Sequence, residues 1–474
     1  MPLTRFTVVV AFMLLIFLWG SIKTEGRHRH SHSHHRSTKN TISIPPTGAP
    51  LNSNSSNNNH STSPSPSPVP IDSGSYSLFD VRAYGAVGNG VNDDTNAFKT
   101  AWDSACAEMN PSLILVPGGY TCLLKSTIFV GPCQNNIIFQ VDGVIVAPDE
   151  PDSWPVNSRR NWLVFYRADG LTLRGGGLID GKGEKWWDLP CKPHKAKNAT
   201  AMHGPCDSPV ALRFFSSRNV TVEGLKVQNS PQFHFRFDQC RYVTVSSLHI
   251  SSPALSPNTD GIHVEATANV LIHNSVISNG DDCVSIGAGS MNVHIENVTC
   301  GPGHGISIGS LGKENSRACV ANVTVKNAVI RHSDNGVRIK TWQGGSGSVS
   351  SVTFDSIHMD TVRNPIIIDQ YYCLSKSCQN QTSNLFISDI TYTNIKGTYD
   401  VRSPPVHFGC SDSVPCTNIT VAEVELLPAM GQFISDPFCW NVYGTARTMT
   451  IPPLACLQEG LPRSVNDIDG NTCY

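Results

Sequence analysis

Asn219-Val-Thr-Val-Glu-Gly-Leu-Lys-Val227 is followed 23 residues later by Tyr242-Val-Thr-Val-Ser-Ser-Leu-His-Ile250. The pattern returns as Asn269-Val-Leu-Ile-His-Asn-Ser-Val-Ile277 and Asn292-Val-His-Ile-Glu-Asn-Val298, and later copies start at Asn322, Ser351, Asn384 and Asn418. Successive starts lie 23, 27, 23, 30, 29, 33 and 34 residues apart. Each copy reads as two very short strands of alternating β-branched residues joined by a bend. No helix-length segment separates the copies, which excludes a βαβ sheet, and paired hairpin turns are missing. A recurring winding of this length predicts an all-β chain: a single right-handed parallel β-helix in which inward Val and Ile of each coil stack on the next.

Such a stack needs its open end covered. Over Asp93–Met109, Ala97, Phe98, Ala101, Trp102 and Ala105 fall on one helical stripe. Asp93 or Asp94 is placed to cap the start. The segment predicts an N-terminal capping helix.

The ends of the chain read differently. Arg5 precedes twelve apolar residues, Val8–Trp19, which is short of the roughly 20 needed to cross a bilayer. Residues 1–25 are therefore expected to be a secretory signal peptide; an uncleaved anchor is the alternative that Lys23, Arg27 and Arg29 leave open. Residues 26–74 are His-, Ser- and Pro-rich without apolar periodicity, and read as a disordered spacer. Residues 75–474 are left as the β-helical domain. The 16 cysteines suit disulfides in an oxidising compartment, with Cys283–Cys300, Cys373–Cys378 and Cys410–Cys416 the pairs suggested by short loops. Eight N-x-S/T sequons, at Asn54, Asn59, Asn198, Asn219, Asn297, Asn322, Asn380 and Asn418, are candidate glycosylation sites.

Charge narrows the function. Lys+Arg 35 against Asp+Glu 37 excludes a bulk nucleic-acid binder, and beyond residue 40 the balance is more acidic. An anionic ligand must be held by local cations. Gly176–Gly183 approaches a phosphate loop but ends in glycine where a magnesium-binding hydroxyl is needed.

Polar groups recur at similar phases of consecutive copies: Asp260, Asp281 with Asp282, His304, Arg338 with Lys340, and Tyr372. Stacked coils about 4.8 Å apart would set them in a row of subsites suited to a linear polymer. Glycosidic cleavage needs one protonated acid and one carboxylate, and crowding of three carboxylates lets one hold its proton. Adjacent Asp281 and Asp282 require a bend to face one cleft, and Gly280 permits it. His304 could share protons with an aspartate. Arg338 and Lys340, two apart on a strand, suit a carboxylate ligand.

These residues carry a resemblance. Ser256-Pro-Asn-Thr-Asp-Gly-Ile262, Gly280-Asp-Asp-Cys283, Gly303-His-Gly305 and Arg338-Ile-Lys340 are similar, in order and spacing, to the four signature blocks of the polygalacturonases, glycoside hydrolase family 28, in their plant form. The likeness runs from about Tyr76 to Tyr474 and includes Thr341-Trp-Gln-Gly-Gly345. It implies a secreted, cell-wall enzyme that hydrolyses α-1,4-galacturonosidic bonds of pectin with inversion and without a cofactor or metal. It implies no nucleic-acid partner, no stable membrane association and a monomeric state. By position, Asp281 resembles the general acid, Asp260 and Asp282 the carboxylates that activate water, and His304 the support of the acid. Arg338 and Lys340 resemble the binders of a galacturonate carboxylate, and Tyr372 a subsite tyrosine. Rival readings are another pectin-directed β-helix enzyme, such as a rhamnogalacturonan hydrolase or a calcium-dependent lyase, or a non-catalytic wall-binding solenoid.

Overall fold

Alternation of inward apolar and outward polar residues, repeated every coil, makes each strand a template for the next. The computed structural model describes residues 76–189, 208–374, 378–431, 433–462 and 473. Its strands pair in parallel throughout and form a right-handed β-helix. A typical coil contributes three: Val210–Phe215 joins an 11-stranded sheet, while Arg218–Glu223 and Lys226–Gln228 lie in a larger one. The register is kept from coil to coil. Val220, Val243, Val270, Val293 and Val323 stack in one inward row, and each is at most 2% exposed. A second row is aromatic, with Phe129, Phe165, Phe214 and Phe237 stacked at centroid spacings of 5.1, 5.1 and 4.8 Å, close to the spacing of the strands themselves.

The repeat starts are the corners of the coil. Asn219, Tyr242, Asn269, Asn292, Asn322, Ser351 and Asn418 hold φ between 52° and 60°, a left-handed conformation that asparagine tolerates better than most residues. The copy read from Asn384 is shifted. Its corner is Asp389, which has φ 57° and lies in register between Ser351 and Asn418. Asn384 is buried, and its Oδ1 accepts from Thr341 Oγ1 and from the Leu385 N–H, each at 2.8 Å. Asn-Leu-Phe-Ile mimics the corner pattern, and only pairing to the neighbouring coil separates the two.

The capping helix, α1, spans Thr95–Ala107. Its buried residues are the five of the predicted stripe. Trp102 packs against Phe129 and Phe165 and donates its indole N–H to the Val130 carbonyl at 3.1 Å. Asp94 takes the N-cap position but does not cap with its side chain. Its carboxylate turns back to accept from the N–H groups of Val87 and Gly88 at 2.7 and 3.1 Å. Asp93 accepts from the Thr95 N–H at 3.0 Å instead.

Cys283–Cys300, Cys373–Cys378 and Cys410–Cys416 are disulfides, joined by Cys106–Cys133, Cys319–Cys473 and Cys439–Cys456. Cys122 and Cys240 are free and buried. Burial pushes their thiols up to about 12 and about 11, which leaves them unreactive. Gly176–Gly183 is built around a short strand, Leu178–Asp180, and Lys182 pairs with Asp180 at 3.0 Å. Residues 1–25, and the spacer read over residues 26–74, lie outside the described residues. No helix among the described residues is long and apolar enough to cross a membrane.

Trp102→Ala should remove about 3–5 kcal/mol of stability, the usual range for a buried aromatic. Urea denaturation would show this as a lower midpoint at unchanged slope. An unchanged midpoint would mean that α1 does not secure the first coils.

Candidate active site

One outer face of the 11-stranded sheet forms an open trough. Six of its strands matter here: β1 (Phe235–Asp238), β2 (Ile262–Glu265), β3 (Val284–Ile286), β4 (Ile306–Leu311), β5 (Asn335–Thr341) and β6 (Asn364–Asp369). Their register aligns Arg236, His263, Ser285, Ser307 and Arg338 in a single outward column. The bends entering β2, β3 and β4 supply Asp260, Asp281 with Asp282, and His304. β5 supplies Arg338 and Lys340, and the turn after β6 supplies Tyr372. All seven line the same trough.

Close packing between coils sets the bends. A Cβ on Gly280 would stand 2.0 Å from the Ser256 carbonyl oxygen, so the approach of neighbouring coils, beyond any need for a turn, demands glycine there. Gly305 has φ +79°, and a Cβ would stand 2.2 Å from the carbonyls of Asn335 and Gly336. The Asp281 backbone is fixed by its carbonyl, which accepts from the His304 N–H at 2.7 Å. The Asp282 carbonyl accepts from the Gly261 N–H at 2.9 Å and from Asn279 Nδ2 at 3.0 Å. The Cys283–Cys300 disulfide begins at the next residue.

The three carboxylates differ in surroundings. Asp282 is 2% exposed. Its Oδ1 accepts from Arg338 at 2.7 Å and Ser307 Oγ at 2.9 Å, and its Oδ2 accepts from Lys340 Nζ at 2.7 Å. Burial opposes its charge, but Lys340 and Arg338 outweigh burial and hold its carboxyl below the usual range. Asp260 accepts from Ser285 Oγ at 2.7 Å. Burial first, and then the charges of Asp281 and Asp282, push its carboxyl well above the usual range. Asp281 is the most accessible of the three, with a side chain 15% exposed, and its Oδ1 lies 2.9 Å from His304 Nδ1. Burial and the Arg338 charge pull the Lys340 ammonium down, and Asp282 and Asp281 offset this only in part, so it stays below the usual value. Its 2.7 Å contact with Asp282 is that of a charge-assisted bond, so the pair is ionised. Ligand atoms of Asp281, Asp282 and His304 all lie within 4.8 Å of one another. They could coordinate a cation, although Arg338 and Lys340 already neutralise Asp282.

Sequence reasoning placed Arg338 and Lys340 toward a ligand carboxylate; here both donate first to Asp282. Tyr372, and not its neighbour Tyr371, stands beside Lys340, whose Nζ lies 5.5 Å from the ring centroid. Tyr371 turns away and accepts from the Asp412 N–H at 3.0 Å. Three participants were not anticipated. Ser285 and Ser307 hydrogen-bond the buried aspartates, and their signal was a small polar residue centred in Val-Ser-Ile and Ile-Ser-Ile on successive coils. Asp334 lies 3.7 Å from His304 Nε2, and nothing in Ser-Asp-Asn-Gly marked it.

The chain is similar to known proteins in sequence and in fold. The sequence model described as Glycosyl hydrolases family 28 matches residues 106–443. The chain is 46% identical over 387 residues to a probable polygalacturonase of Arabidopsis thaliana, covering 81% of this chain and 85% of that protein. It is 45% identical to a polygalacturonase of Cryptomeria japonica over 76% of this chain and 69% of that one. Among solved structures, a polygalacturonase from Erwinia carotovora superimposes with a TM-score of 0.61 at 23% identity, over 80% of this chain and all of that chain. An exopolygalacturonase from Thermotoga maritima gives 0.64 at 20% identity, over 74% and 87%. Both of these bear on the fold alone.

The electrostatics predict opposite effects for two isosteric changes. Asp282→Asn leaves two buried cations without a counter-charge and should remove about 3–5 kcal/mol. Because the native Asp282 carboxyl sits low, that deficit is complete above the unfolded value and shrinks as pH falls through the native one. Asp260→Asn mimics the protonated form that burial favours, so it should match or exceed the parent in stability at pH 7, with the gain lost on acidification. Thermal melts across pH check both; equal destabilisation by the two changes would contradict the assignment.

Proposed function

The chain belongs to glycosyl hydrolase family 28, and from that premise we propose that it hydrolyses α-1,4 bonds between galacturonates in pectin by a single displacement with inversion. The observation that carries the proposal is the convergence of Asp260, Asp281, Asp282, His304, Arg338 and Lys340 in one trough.

Asp281 is the carboxyl that faces the open trough, and it donates its proton to the leaving glycosidic oxygen. His304 holds it through Nδ1. Burial, and then the charges of Asp281 and Asp282, favour the protonated form of Asp260 while the trough is empty. A bound polymer covers Asp281, and the resulting desolvation moves the balance of that proton toward it. Asp260, relieved of its proton and the more basic carboxylate, accepts the proton of the attacking water, and Asp282, held ionised, orients that water.

The alternative is direct attack by a carboxylate on carbon, which goes with carboxyl groups only ~5–5.5 Å apart. The 4.8 Å limit on the ligand atoms of Asp281 and Asp282 is near that distance. Asp282, however, has both oxygens occupied by Arg338, Ser307 and Lys340. Such a carboxylate is a poor nucleophile and a well-placed fixed charge. Arg338 and Lys340 carry donors beyond those given to Asp282, and these receive the galacturonate carboxylate beside the scissile bond. Tyr372 lines the adjoining subsite. Six disulfides among the described residues support work outside the cell, in the wall, after removal of residues 1–25 as a signal peptide.

Asp281→Asn should lower kcat on polygalacturonic acid by about 10²–10⁴-fold, the share of a general acid, while the melting temperature and polymer binding stay near the parent values. Reducing-end assays on the purified variant test it. Normal turnover would remove Asp281 from the acid's role and favour a binding solenoid.

A further inference from the structure

The corner column holds an interruption that the trough chemistry does not use. Register stacks Asn219, Tyr242, Asn269, Asn292 and Asn322 one coil apart. Side-chain amides link the later members: Asn292 Nδ2 donates to Asn269 Oδ1 at 2.9 Å, and Asn322 Nδ2 donates to Asn292 Oδ1 at 2.8 Å. Tyr242 stands where the next asparagine would be and breaks the ladder. It is 56% exposed. Asn219 is exposed, as Asn292 and Asn322 are, but unlike them it has no side-chain hydrogen bond among the described residues.

Asn219 also begins Asn-Val-Thr. Three other sequons in the folded domain have their amide nitrogens engaged: Asn297 donates to Asn274 at 3.2 Å, Asn322 to Asn292, and Asn418 to Asp389; Asn380 is exposed like Asn219 but lies outside the corner column. A shallow groove runs beside Tyr242, walled by Thr221, Thr244 and Leu271, with Asn219 at its edge. The strand that carries Asn219, Arg218–Glu223, belongs to the larger sheet, whereas the trough lies on the 11-stranded one.

We propose that Asn219 carries an N-linked glycan whose first sugar packs on the Tyr242 ring. In the transfer, the Asn219 amide nitrogen displaces the diphosphate of a polyprenyl-diphosphate-linked oligosaccharide. The nitrogen–C1 bond forms, the C1–oxygen bond to phosphate breaks, the nitrogen loses one proton and polyprenyl diphosphate leaves. Donor and transferase belong to the secretory route, so this inference rests on the extracellular reading given above. The sugar takes the place of the missing ladder partner. One coil, about 4.8 Å, separates Asn219 from Tyr242, which sets the aromatic face beside the first ring. An aromatic side chain with an apolar body and polar edge suits that contact.

The test is to secrete the full chain from yeast behind the host's own leader. Glycans are then released enzymatically in heavy-oxygen water, which converts each occupied asparagine to a labelled aspartate, and peptide masses are read. Label at Asn219 on most molecules is expected; secreted protein with Asn219 unlabelled would overturn the proposal. Asn219→Gln should shift the melting temperature downward, and the shift should vanish in the Tyr242→Ala background. An equal shift in both backgrounds would overturn the packing on Tyr242. Activity on polygalacturonic acid should be unchanged by Asn219→Gln, and a tenfold loss would place Asn219 at the trough after all. The mass readout does not depend on catalysis, so a failure here is separate from a failure of the hydrolase assignment.

Discussion

Coil-on-coil parallel pairing in fixed register is the constraint on which everything else in this molecule depends. It brings residues far apart in sequence into neighbouring positions, as with Asp260 and Ser285, 25 apart, or Ser307 and Arg338, 31 apart. Inside the helix the same rule builds rows of valine and of stacked phenylalanine. Outside, it converts a scattered set of polar residues into a trough. The core is therefore also the scaffold of the site: a slip of one residue in any coil would turn its inward valines out and carry the site residue of that coil away.

Within the trough, charge is organised by burial. Two cations favour the ionised form of one buried carboxylate, burial and like charge favour the protonated form of a second, and the third stays accessible beside an imidazole. Neighbouring acids with opposite protonation preferences are what acid–base catalysis requires. The arrangement also explains why Arg338 and Lys340 are so enclosed. They serve the interior of the site, as counter-charges to Asp282.

Much of this was legible in the sequence because the fold is periodic. The Val-Thr-Val copies gave the coil, the Ala/Phe/Trp stripe gave the capping helix, and equal phase gave the trough. Resemblance to a family added the roles. What escaped depended on pairing between coils. Asn384 looked like a corner because local pattern cannot reveal register, and Asp389 lacked the asparagine that marked most of the others. Ser285 and Ser307 were hidden because a serine in a strand is unremarkable until it faces a buried aspartate. The inward turn of Arg338 and Lys340 was out of reach because spacing shows which side of a strand a residue occupies, not which partner it finds there.

The central claim is that water, placed by carboxylates in this trough, attacks the anomeric carbon directly. Proton NMR of polygalacturonic acid during the first moments of hydrolysis reads the outcome. The account predicts new reducing ends that appear as the β-anomer and then mutarotate. Ends that appear first as the α-anomer, or products carrying the olefinic signals of elimination, would contradict it.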